Sequence, residues 1–160
     1  MGQNFMTRAS YERMQSELVY LREKELPKIS KEKLEAASQG DLSENAGYEY
    51  AKQKLEMIQS KINAMAAQIS DVQFIEELPI PGTIVSLGTV VRLMDLDKKK
   101  EERYTILGPA DADAAQGVIS FQSPLAKGMI TKKVGDEVTI QIPEGTRKVK
   151  ILEIRKYANY

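Results

Sequence analysis

The sequence predicts an α+β protein: an N-terminal antiparallel α-helical coiled-coil hairpin, then a small, strongly bent β-sheet domain with one short helix. Three observations carry this reading. Apolar residues in the first half recur at alternating steps of three and four, and those in the second half alternate at period two. Between the two patterns stands Leu78-Pro79-Ile80-Pro81-Gly82, where proline blocks both helix continuation and central strand pairing. The expected division is therefore 1–78 for the hairpin and 79–160 for the sheet domain.

The second arm of the hairpin is the clearest element. Tyr48, Ala51, Leu55, Ile58, Ile62, Met65, Ile69 and Val72 form an a/d seam sustained long enough for a coiled coil. Upstream, Tyr11, Met14, Leu18 and Leu21 repeat the step, and Leu26, Ile29 and Leu34 continue an apolar face less regularly past Pro27. That proline lacks a backbone donor and predicts a kink or local break. Gly40 suits a left-handed helix end, and the short turn between two similar helices forces them antiparallel. Each arm of about 30 residues spans roughly 45 Å at the α-helical rise.

Strands are expected over Thr83–Ser86, Thr89–Leu96, Glu102–Leu107, Val118–Phe121, Glu137–Ile142 and Lys148–Ile154. Asp97-Lys98-Lys99-Lys100 and Pro143-Glu144-Gly145 read as turns. Ser123-Pro124 before Leu125-Ala126-Lys127 reads as an N-cap with proline at the first helical position, hence one short helix.

Composition excludes whole classes of chemistry. The 160 residues include no Cys, His or Trp, so thiol nucleophiles, imidazole bases, zinc fingers and disulfides are impossible. Any metal must sit on oxygen ligands, which favours magnesium, manganese or calcium. The formal net charge of zero hides an asymmetry. Residues 1–78 carry 10 Lys+Arg against 13 Asp+Glu, and residues 79–160 carry 13 against 10. Neither a signal-peptide pattern nor an apolar run of membrane-spanning length is present, so the chain reads as cytoplasmic with no membrane partner.

Only the hairpin tip concentrates candidate chemistry. Asp41 and Glu44 stand three residues apart, so both carboxylates can face one side and share a hard divalent cation. Asp41-Leu42-Ser43-Glu44 is equally a capping-box pattern, and by spacing alone capping is the commoner use. Lys52 and Lys54 suit a phosphate backbone or a solvated face. Tyr48 and Tyr50 can stack on a base, although Tyr48 also fits the seam.

Gly40-Asp41-Leu42-Ser43-Glu44-Asn45-Ala46 with Tyr48 and Ala51-Lys52 resembles the tip signature of the bacterial Gre transcript-cleavage factors. Met6-Thr7, Tyr11-Glu12 and Glu17-Leu18 are similar to the start of their first helix. Ser123-Pro124-Leu125-Ala126-Lys127-Gly128 and Lys133-Val134-Gly135-Asp136-Glu137-Val138 are similar to their C-terminal domain. The resemblance covers nearly the full length, and the low pI of about 6.4 resembles the GreA branch more than the basic GreB branch.

The resemblance implies an FKBP-like C-terminal domain that grips RNA polymerase, with Ser123 and Pro124 among the polymerase-binding residues. It implies a coiled coil that enters the polymerase secondary channel and stimulates cleavage of the extruded RNA 3′ end in backtracked complexes. On this reading Asp41 and Glu44 act at the polymerase active centre as ligands of a shared Mg²⁺, not bound stably by the chain alone. Ser43 and Asn45 support them by hydrogen bonds, and Lys52 and Lys54 contact RNA. The chain would be a monomer that assists polymerase catalysis, not an enzyme. Two departures from the family pattern stand out: Gly47, where a charged residue is common, and Ser38, where a basic one is. Rival readings are a channel-occupying inhibitor, an FKBP-like isomerase or chaperone, and a structural adaptor in which the carboxylates only cap. The few aromatics in or near the second half (Phe74, Tyr104, Phe121, Tyr157 and Tyr160) supply a proline pocket poorly.

Overall fold

The structure, a computed structural model, describes residues 4–39 and 45–157. Its contacts divide into two compact units. One runs from Tyr11 to Asp71; the other joins the N-terminal residues up to Ser10 with the chain from Val72 onward. Strand β1 (Asn4–Met6) pairs in parallel with β2 (Val72–Phe74), which brings both into the second unit.

In the helical unit, α1 (Arg8–Tyr20), a π-helical turn (Leu21–Glu25) and α2 (Leu26–Ala37) build the first arm, and α3 (Ala46–Ile69) the second. The break expected at Pro27 takes the form of the π turn. The Leu26 N–H reaches five residues back to the Leu21 carbonyl, which widens the helix where Pro27 has no donor and its ring crowds the preceding turn. Cross-arm neighbours run antiparallel: Asn45 bonds the Ala36 carbonyl, and Glu17 pairs with Lys61 at 3.1 Å.

The seam is formed largely as the periodicity requires. Met14, Leu18, Leu21 and Ile29 are buried on one arm and Ala51, Ile62 and Met65 on the other. Tyr48, Leu55, Ile58 and Ile69 are half-buried. Two seam residues depart. Leu34 is 74% exposed. Val72 lies outside α3, which stops at Ile69 before Asp71 turns left-handed (φ 56°) and the chain enters β2.

The second unit is a five-stranded sheet of order β5-β4-β3-β7-β6. Its strands are β3 (Thr89–Asp95), β4 (Lys100–Leu107), β5 (Val118–Ser120), β6 (Glu137–Ile142) and β7 (Gly145–Lys156). All neighbours are antiparallel except β4 and β5, and the β3–β7 register shifts between Arg92 and Leu93. Such an irregularity sharpens local twist, in keeping with a bent sheet. Residues Thr83–Ser86 are not a strand. Val85 instead exchanges backbone hydrogen bonds with Lys132 and Thr131 just beyond the short helix, while its side chain joins the core.

That helix, α4 (Pro124–Met129), starts as expected at Ser123, whose Oγ accepts from the Ala126 N–H at 3.3 Å. It packs on β6 so closely that a Cβ on Gly128 would stand 2.6 Å from Ile140. Ala126, Met129, Ile140, Val91, Leu93, Ile106, Val149 and Ile151 form the core beneath it.

The N-terminal segment is tied into this unit by polar contacts. Thr7 Oγ1 accepts from the Ser10 N–H and donates to Asp111 at 2.7 Å. Asp111 also receives the Gly108 N–H. The Arg8 guanidinium lies over the Phe74 ring, 4.3 Å from its centroid, and pairs with Glu77.

At the hairpin-turn end of the sheet, Arg147 on β7 bonds Asp95 at 2.9 Å and Glu102 at 2.5 Å, and Tyr104 Oη donates to Glu102 at 2.7 Å. The Lys98 N–H, with help from Arg147, holds the Asp95 carboxyl below the usual carboxylate range. Burial pushes Glu102 up, but the Arg147 and Tyr104 hydrogen bonds outweigh it and leave its pKa lowered. A carboxylate depressed on folding contributes stability above its unfolded pKa and loses it as pH falls through the folded value. The urea midpoint of unfolding should therefore hold at neutral pH and fall below about pH 4, the ordinary carboxylate range. Arg147→Met should lower the neutral midpoint and flatten this acid limb; an unchanged limb would remove the network from the account.

Candidate functional site

Of the tip residues singled out by the sequence, Asp41, Ser43 and Glu44 lie outside the described residues, as does the Gly40 helix end. What brackets them is defined. The last turn of α2 closes through the Ser38 N–H, which bonds the Leu34 and Glu35 carbonyls at 3.2 Å, and through Ser38 Oγ, which donates to Glu35 at 2.7 Å. On the other side Asn45, in an extended conformation (φ −89°, ψ 98°), is the N-cap of α3.

Asn45 performs two tasks at once. Its Oδ1 accepts from the Tyr48 N–H at 2.9 Å, which satisfies a donor that the first helical turn leaves unpaired. Its Nδ2 donates across the hairpin to the Ala36 carbonyl, which also accepts the Gln39 N–H at 3.2 Å. A single side chain thus stitches the two arms together where the apolar seam runs out. This corrects one expectation: the cap of α3 is Asn45 and not Asp41. Gly47 fits the same device: a Cβ there would come within 3.3 Å of Asn45 Oδ1.

The cations near the tip do not form one face. Lys52 is exposed, whereas Lys54 is half-buried with its Nζ 5.9 Å from the Tyr50 ring centroid. Two residues apart on a helix, they point to different sides. Sequence reasoning missed a third cation. Lys33 on α2 reaches across to α3, its Nζ 5.7 Å from the Tyr48 ring centroid. No spacing rule reveals such a pair, because it depends on the register between the arms.

In the sheet unit, the Ser123 hydroxyl is committed to local structure, accepting from Ala126 and donating to Ser120 at 2.7 Å. Pro124 beside it is exposed. Among the described residues no three carboxylates converge to hold a metal ion, and no helix is long and apolar enough to cross a membrane.

Asn45→Ala should lower the unfolding free energy by about 1–2 kcal/mol, the loss of a helix cap plus a cross-arm hydrogen bond. Asn45→Ser, which keeps a cap oxygen but cannot reach Ala36, should fall between. Denaturation midpoints, together with hydrogen exchange at the Tyr48 amide, measure both.

Comparison with known proteins bears on the whole length. Residues 4–73 match the model for the N-terminal domain of the transcription elongation factors, and residues 80–156 match the GreA/GreB C-terminal model. The chain is 39% identical to transcription elongation factor GreA of Helicobacter hepaticus over 149 residues, 93% of this chain and 91% of that one. It is also 39% identical to the Helicobacter pylori protein of the same name, over 96% of this chain and 94% of that one. Among solved structures, the GreA factor homolog 1 (Gfh1) of Thermus thermophilus aligns over 96% of this chain and 99% of that one, with 28% identity and a TM-score of 0.44. Matched across both of its halves, the chain belongs to the GreA/GreB family of transcription elongation factors.

Proposed function

We propose that this protein is a transcript-cleavage factor of the GreA type. It inserts its helical hairpin into the secondary channel of bacterial RNA polymerase and stimulates endonucleolytic cleavage of the extruded RNA 3′ end in backtracked complexes. Family membership supports the role, since the relatives that match across the chain bear the name transcription elongation factor GreA. One structural observation supports the site. Asn45 already caps α3, so the structural task that competed for Asp41 and Glu44 at the start of that helix is filled by another residue. Asp41 and Glu44, which stand in sequence between the two arms, are thereby left for another use.

Their chemistry suits the role. Aspartate and glutamate offer hard oxygen donors of the kind Mg²⁺ prefers, and Mg²⁺ typically shares its site with substrate oxygens and several waters. When bound, the ion supplies Lewis acidity and lowers the pKa of a water. Two carboxylates are too few to hold a two-metal site alone, so the chain assists a polymerase that supplies the remaining ligands and is not itself the enzyme. Asp41 and Glu44 would hold the ion and orient the attacking water, with Ser43 and Asn45 adding hydrogen bonds. Lys52 and Lys54 neutralise RNA phosphates, and the exposed surface around Pro124, which Ser123 holds at the start of α4, docks on the polymerase. The protein acts as a cytoplasmic monomer.

The test is RNA cleavage in a stalled, backtracked elongation complex labelled at the RNA 5′ end, with wild type beside Asp41→Ala/Glu44→Ala. Wild type should shorten the RNA in a Mg²⁺-dependent manner. The double variant should bind polymerase and lose at least about 100-fold in rate, the scale of removing one positioned electrostatic group. Binding without shortening by wild type would make the protein a channel-occupying inhibitor, and no binding would end the polymerase reading.

A further inference from the structure

The hairpin keeps large side chains in water on one lateral face. Tyr20 is 53% exposed and Met57 69%, and both border a shallow depression of about 360 Å³ between the arms, where Leu21 and Ile58 lie deeper. Tyr50, also exposed, stands seven residues before Met57 and carries the stripe two turns along α3 toward the tip. The π turn supplies Leu21 and Glu25 to this lining, and such turns recur at functional positions. Side chains of this size left in water forgo the free energy of burial, so the face suits an occupant.

The charges around the depression are sorted by arm. Glu17 and Glu25 come from the first arm, Lys54 and Lys61 from the second. Glu17 and Lys61 stand at one height, paired at 3.1 Å, and in antiparallel arms that places Glu25 at the height of Lys54. Four charges that sum to zero do not select a phosphate strand, which the two carboxylates repel, nor a strongly acidic or basic protein. They do complement a copy of themselves. A two-fold axis along the hairpin lays the first arm of one chain on the second arm of the other, so each glutamate meets a lysine. An axis across the hairpin would set glutamates against glutamates. Isologous contact of one patch with its own copy is the commonest form of self-association.

We propose that this face is a self-association surface for a second copy of the chain. Two hairpins pack face to face and parallel about a two-fold axis. Tyr20 and Met57 of each lie against the depression of the other, and Glu17 and Glu25 meet Lys61 and Lys54. Glu17 and Lys61 are both solvent-exposed, and ion pairs of that kind add little affinity, so the pair is weak and dissociates on dilution. It is a resting form. The single chain remains the form that acts on polymerase, because pairing covers Lys54 and thickens the hairpin. The inference goes beyond the transcript-cleavage reading and does not depend on it.

Sedimentation equilibrium of the full chain, without polymerase, tests it. The weight-average mass should rise with concentration from 17.9 kDa toward twice that value. Met57→Asp, at an exposed position, should raise the dissociation constant by about tenfold or more. Its helical circular dichroism and its unfolding midpoint in dilute solution should match wild type. Glu17→Lys should weaken pairing in the same way, and Glu17→Lys/Lys61→Glu should restore it. The chain has no cysteine, so single thiols report the orientation. Glu17→Cys and Lys61→Cys proteins, mixed and oxidised, should give the mixed disulfide in preference to either self-disulfide. A chain that keeps its single mass throughout the micromolar range overturns the inference. So does pairing that Met57→Asp leaves intact, a double exchange that fails to restore it, or self-disulfides that outnumber the mixed one. None of these outcomes touches the cleavage function, which is read separately in the backtracked complex.

Discussion

A helix packed against a single neighbour can bury only one stripe of its surface, and that constraint governs the helical unit. Met14, Leu18, Leu21 and Ile29 face Ala51, Ile62 and Met65 along one seam, with no second layer behind them in the unit. Each fully buried side chain of this size contributes about 1.5–3 kcal/mol. A seam of seven such positions, one of them only alanine, leaves little margin against the entropy of ordering two arms. The tip end of the seam is therefore held by polar bonds. At the tip Asn45 joins Ala36 to Tyr48; farther along, Lys61 pairs with Glu17. The π turn belongs to the same economy, since it absorbs Pro27 within the arm and lets the apolar face resume at Ile29.

The sheet unit solves the opposite problem. Its core is thick enough to be stable by burial, with Val91, Leu93, Ile106, Val149 and Ile151 fully enclosed, and close approach of α4 through Gly128 completes it. Polar groups enter only at its margins. Arg147 pairs with both Asp95 and Glu102 at the turn end of the strands, and Asp111 receives Thr7 and Gly108. The charges that decide acid stability are thus far in sequence from the carboxylates proposed for catalysis.

Much of this was legible in the sequence because it is periodic. The seam of α3, the strands β3, β6 and β7 and the Ser123 cap all follow from spacing and local chemistry. What escaped depends on partners distant in the chain. Asp41, Ser43 and Asn45 are all competent caps, and only the register between the arms selects Asn45. Thr83–Ser86 alternates like a strand, but its backbone finds Thr131 and Lys132 instead of a sheet neighbour. β1 and β2 are three residues each, too short to show a period. Lys33 was unremarkable until α3 placed an aromatic ring beneath it. The carboxylates themselves were legible only through family resemblance, since spacing alone favoured the cap.

The pairing of β1 with β2 also has a consequence in time. Strand β1 finds its partner 68 residues later in the chain, at Val72–Phe74, after the entire hairpin has been made. Loop-closure entropy grows only slowly with length, so the delay is one of synthesis more than of equilibrium. The hairpin, rich in local contacts, can form while Asn4–Met6 is still unpaired. The sheet unit is then sealed late, by a segment translated before the hairpin. Any lesion that slows the hairpin prolongs the interval in which β1, β2 and the buried Met6 are open to solvent and to one another's counterparts on neighbouring chains.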